Sequence, residues 1–119
     1  MPNRQLTALQ ALVLRQLWEH GEATVTELCE ALNKKRRIAP TTLATILTRL
    51  ERRGVVAHRS RSRQFVYRAT VTELEVRRAM VSELIATLFE GDAPALARHL
   101  LTAQGVSSAD IVQIRSLLA

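Results

Sequence analysis

Hydroxyl and guanidinium groups carry the chemistry this chain has to offer, and they are gathered between Ala39 and Arg68. Thr41, Thr42 and Thr45 come first, then Arg49, Arg52 and Arg53, and Arg59, Arg61 and Arg63 follow Gly54. On a helix laid in the major groove of duplex DNA, a threonine hydroxyl can hydrogen-bond to a base edge and its methyl can touch the thymine methyl. Arginines grip phosphate oxygens, fixing register without reading sequence. A solvated helix face or a solvated basic loop would use the same residue types, so the weight rests on the order in which they occur.

That order implies particular elements. In APTTLATILTRLERRG, Leu43, Ile46, Leu47 and Leu50 recur at helical spacing and leave Thr41, Thr45, Thr48 and Arg52 on the opposite side. Pro40 suits the first helical position and Gly54 the C-terminal cap. The runs VVAHRS and QFVYRA then alternate as strands do, joined through Arg61, Ser62 and Arg63, which predicts a basic, flexible tip. A recognition helix (40–53) and a wing (55–69) are the expected pair. The basic run Lys34 to Arg37 precedes them and offers further phosphate contacts.

Two short helices should support this pair. Thr7 with Gln10 and Thr24 with Glu27 each have the spacing of a capping box. The first helix would bury Leu9, Leu12, Val13 and Leu17 beside an anchoring Trp18 until Gly21 stops it. The second would bury Val25, Leu28 and Leu32 and end near Asn33. The fold class expected is mostly α with a small β-hairpin: a winged helix-turn-helix domain over 1–70, followed by a C-terminal helical dimerisation region over 71–119. In the latter, Thr72 with Glu75, Asp92, and Ser107 with Asp110 mark helix starts, while Gly91 and Gly105 mark stops. Leu84, Ile85, Leu88, Leu96, Leu100, Ile111, Ile114 and Leu118 would give three short helices more apolar surface than they can hide among themselves, so a homodimer is expected.

Charge divides at the same place. The net charge is +6, but residues 1–70 hold 13 Lys or Arg against 5 Asp or Glu, and residues 71–119 hold 4 against 6. One half seeks a polyanion; the other suits association. An apolar fraction of 47% excludes disorder, and no apolar run reaches the length of a membrane span or of a signal peptide, so a cytoplasmic protein without membrane partners is expected. Cys29 is the only cysteine, so no internal disulfide forms. It reads as a small buried residue; a redox enzyme would need it as a reactive thiolate. His20, His58 and His99 stand apart, with no metal-ligand spacing. No metal, cofactor or enzymatic activity is expected. A winged-helix module that docks on protein and binds DNA only weakly is the competing reading, and the salt dependence of binding to duplex DNA separates the two.

Taken together, LTALQALVLRQLWEHGEATVTELCEAL, APTTLATILTRLERRGVVAHRSRSRQFVYRA and LFEGDAPALARHLLTAQGVSSADIVQIRSLL resemble the BlaI/MecI/CopY family of penicillinase-repressor-like transcription regulators over essentially the whole length. The resemblance implies a dimer whose winged domains bind a palindromic DNA operator, commonly with TACA and TGTA half-sites, and whose C-terminal helices interlock. It places Thr41, Thr42 and Thr45 on the base-facing surface. Release from DNA in such proteins follows cleavage driven by a sensor-protease partner. Here His99 and Leu100 align with the cleaved Asn-Phe pair, and the cysteine-rich metal motif of the copper-responsive branch is absent.

Overall fold

The computed structural model describes residues 6–102 and 106–118. In chain order its elements are α1 (Ala8–His20), β1 (Glu22–Thr24), α2 (Val25–Leu32), α3 (Pro40–Arg52), β2 (Val56–Arg61), β3 (Gln64–Ala69), α4 (Glu73–Leu88), α5 (Ala93–Thr102) and α6 (Ser108–Leu118). Two compact units result, Met1–Met80 and Val81–Ala119. This division falls within α4, whereas the sequence suggested one between residues 70 and 71.

Local signals set the helix boundaries of the first unit. Thr7 and Thr24 each accept from the backbone N–H three residues on, and Gln10 and Glu27 accept in return from the capping residues' N–H groups, which occupies donors that each first turn would otherwise leave open. At the end of α3, Gly54 donates to Glu51 O and Val55 to Leu50 O, the paired bonds of a Schellman stop. Gly54 has φ +78°, a conformation that a side chain would strain.

The core of this unit lies where α1, α2 and α3 meet one face of the sheet. Leu14, Leu17, Leu28, Leu32, Leu43, Leu47 and Leu50 are buried, and Val55, Val56, Ala23 and Tyr67 close the cluster from the sheet side. Each fully buried leucine contributes about 1.5–3 kcal/mol. Trp18 is half-buried against this cluster, and its indole Nε1–H donates to Val71 O at 2.9 Å. With Val76 also buried, the first turns of α4 belong to the winged unit. Cys29 is buried, its Sγ 3.2 Å from Ile38 O.

The sheet has three strands in the order β1-β3-β2, all antiparallel. The hairpin was expected; β1 was not. Its residues pair with β3 as Glu22 with Arg68, Ala23 with Tyr67 and Thr24 with Val66. Between β2 and β3 the chain turns in only two residues, Ser62 (φ +49°) and Arg63 (φ +67°), with Arg61 already inside β2. Positive φ at both central positions suits the right-handed twist of a hairpin. The tip is therefore tighter than the sequence suggested.

In the second unit, Ala95 N–H donates to Asp92 Oδ1, and Ser107 and Asp110 form a reciprocal cap. The backbone bond to Ser107 is the largest influence holding the Asp110 carboxyl below its usual range. No described residue from 81 onward is buried. Leu84, Leu88, Leu100 and Ile114 are exposed, whereas Ile85, Leu96 and Ile111 are half-buried. Gly105 and the side chain of Leu118, both named from the sequence, lie outside the described residues.

Candidate nucleic-acid interface

The apolar stripe of α3 decides which of its residues face outward. With Leu43, Ile46, Leu47 and Leu50 all buried, the helix is docked along one side, leaving Thr41, Thr42, Thr45, Thr48, Arg49 and Arg52 exposed. Thr45 Oγ1 donates to Thr41 O at 3.0 Å, and Thr48 Oγ1 to Ala44 O at 2.9 Å. Each of these two hydroxyls has thus committed its proton to the helix, so it presents lone pairs and a methyl outward. Such a hydroxyl accepts from an exocyclic amine on a base edge, while the methyl suits thymine.

The basic residues fall into different groups. Arg49, Arg61 and Arg63 are exposed, as is the run Lys34–Arg37 before α3. Arg53 is half-buried instead, and its Nη1–H donates to Gln10 Oε1 at 3.1 Å, joining the end of α3 to the start of α1. Arg59 reaches across to β1, where its Nη2–H donates to Glu22 Oε2 at 2.7 Å and its Nε–H to the same oxygen at 3.2 Å. This hydrogen bond is the largest influence holding the Glu22 carboxyl below its usual range. Both side chains remain open to solvent, so the pair fixes geometry more than it adds stability.

Register divides the wing by face. Directly paired residues share a face, so His58 with Tyr67 and Ser60 with Phe65 stand on the side of the buried Val56 and Tyr67, whereas Arg59, Arg61 and Gln64 stand on the other. Between the wing and α3, His58 Nδ1–H donates to Glu51 Oε1 at 2.5 Å, and the imidazole stacks on Phe65 with ring centroids 4.1 Å apart. Sequence reading assigned no role to Glu51 or Phe65 and took His58 only as a histidine without metal-ligand spacing; the phase of β2 against β3 could have set His58 and Phe65 on one face, whereas Glu51, on α3, lies outside that signal.

Arg61, the last residue of β2, and Arg63, in the turn that follows, both stand exposed at the tip. Changing both to glutamine should flatten the slope of log affinity against log salt by roughly 2 units, on many sequences alike. Titration of a mixed-sequence duplex at several salt concentrations measures this; an unchanged slope would place the tip away from the phosphates.

Among the described residues no three His, Cys, Asp or Glu side chains cluster as a metal site, and no helix is long and apolar enough to cross a membrane.

Comparison with known proteins agrees with this geometry. The penicillinase repressor of Bacillus licheniformis is 22% identical over 114 residues, covering 96% of this chain and 89% of that protein. The solution structure of the DNA binding domain of the repressor BlaI superposes with a TM-score of 0.54 at 28% identity, covering 59% of this chain and 85% of that one. Monomeric Bacillus licheniformis BlaI in complex with the blaP half-operator gives 0.51 at 29% identity, with coverages of 58% and 84%. The family profile described as "Penicillinase repressor" matches residues 6–119, and the chain therefore belongs to the penicillinase repressor family.

Proposed function

We propose that this chain is a cytoplasmic, homodimeric transcriptional repressor that lays α3 in the major groove of each half of a palindromic operator and grips the adjoining backbone with its wing. The observation that carries this reading is the outward row Thr41, Thr42, Thr45 and Arg49 on a helix docked entirely by its opposite face, beside a basic hairpin. BlaI, of which a monomeric form has been solved with a half-operator, has the same winged fold at 29% identity. Arg49, Arg61 and Arg63 serve as phosphate contacts, while Arg53 and Arg59 add positive charge from positions tied to Gln10 and Glu22. Any sensor-protease partner acting at the family's usual place would have to accept His99-Leu100, which lies within α5.

Thr45→Ala tests the base-reading face. It should reduce discrimination between a duplex selected by the parent protein and random DNA by about 1–3 kcal/mol, with non-specific affinity nearly unchanged. Both affinities, measured at one salt concentration, give the ratio. If that ratio equals the parent's, Thr45 does not face the bases.

A further inference from the structure

We propose that His58 is a positioning residue that braces the wing against the last turn of the recognition helix, with Glu51 as its anchor and Phe65 as the part of the wing it holds. This rests on the interface just described and assigns a role to residues outside the DNA-contacting set. Three observations converge on it.

The first is where the wing's own support ends. On the helix-facing side of the hairpin, Val56 and Tyr67 are buried in the core, but the next residues outward on β3 and β2, Phe65 and Ser60, are exposed, Phe65 by 50%. A two-stranded ribbon has little stability of its own, so beyond Tyr67 the core alone does not fix the direction of the tip. His58 sits at that boundary, directly opposite Tyr67.

The second observation is that His58 makes contacts in both directions. Its Nδ1–H donates to Glu51 Oε1 on α3, while its ring lies 4.1 Å from Phe65 at an interplanar angle of 29° and 5.4 Å from Tyr67. Phe65 and Tyr67 in turn meet edge to face at 6.4 Å. One side chain therefore joins the helix that reads bases to the strand that carries the tip.

The third is the sign of the charge. Glu51 is a carboxylate on a helix meant to lie against phosphates, where an anion weakens binding through repulsion. Its bond to His58 gives it a use that offsets that repulsion. Arg59 and Arg61 stand on the opposite face of the ribbon from His58, and Arg59 is engaged by Glu22.

Charge and positioning predict opposite results for the same substitution, which makes the proposal testable. Using the duplex that the parent protein selects from a random pool, Glu51→Ala should weaken binding about tenfold although it removes a negative charge. Glu51→Gln keeps an Oε1 acceptor and should bind at least as tightly as the parent. His58→Ala should lose the same factor as Glu51→Ala. Each loss should vanish in the Arg61→Gln/Arg63→Gln background, because a brace has no effect on binding once the tip no longer grips. Thermal melts followed at Trp18 separate this from unfolding, since a merely structural fault would persist in that background. Parental or tighter binding by Glu51→Ala, or a loss that persists without the tip arginines, overturns the brace. If the doubly substituted tip itself binds with the parent's affinity and salt slope, the wing interface fails, and the brace with it.

Discussion

Replacing Leu88 by lysine should turn the full-length protein into a monomer and lower its affinity for a palindromic duplex by roughly 10²–10⁴-fold, the range over which coupled half-site contacts exceed single ones. Leu88 is 68% exposed at the end of α4, so most of the new side chain stays in solvent within the single chain, and a cation there suits the helix C-terminus. The added positive charge would by itself strengthen binding to DNA, so a loss cannot be a charge effect. The apolar surface behind this expectation is broad: Leu100, Ile114 and Leu117 are 52%, 40% and 80% exposed, and the unit to which they belong has no buried described residue. Helices with so little internal core need cover from elsewhere, and in the proposed dimer a second copy of the same segments would supply it symmetrically. Sedimentation of parent and variant, paired with titration of the duplex, gives both numbers. A parent that sediments as a monomer, or a monomeric variant that binds the palindrome as tightly as the parent, would rule out the proposed dimer.

Leu47→Ala should destabilise the winged unit by about 2–5 kcal/mol, a large part of the 5–15 kcal/mol that usually holds a small domain together. Leu47 is fully buried in the middle of the stripe that docks α3, between Leu43 and Leu50, so the cavity opens directly beneath the recognition face. Urea unfolding followed at Trp18 measures the loss, and Thr45→Ala, on the exposed side of the same helix, should shift the midpoint far less. Equal shifts from the two variants would mean that α3 is not docked by this stripe.

How much of this was legible in the sequence depends on how far apart the interacting residues lie. The capping pairs Thr7 with Gln10, Thr24 with Glu27 and Ser107 with Asp110 act over three residues and form as their spacing predicts. The stripe of α3 is equally local: the four apolar positions that repeat at helical spacing are the four that are buried. By contrast, β1 is three residues long and exists only because β3 pairs with it from far along the chain. So short a run carries no periodicity of its own. The same distance hid the engagement of Arg53 by Gln10, 43 residues away, and of Arg59 by Glu22, 37 residues away. Read singly, those arginines differ in nothing from Arg61 and Arg63. Glu51 and His58 are only seven residues apart, but a glycine stop and a change from helix to strand separate them, and no simple spacing connects two such periods.

In the proposed complex α3 reads bases while two copies of the chain read two half-sites. Selection of duplexes from a random pool by the full-length protein, repeated with Thr45→Ala, tests it most directly. The parent should enrich an inverted repeat whose half-sites share one face of the duplex, and the variant should relax the same base position in both halves. Enrichment of no motif, or of one that Thr45→Ala leaves untouched in sequence and strength, would contradict it.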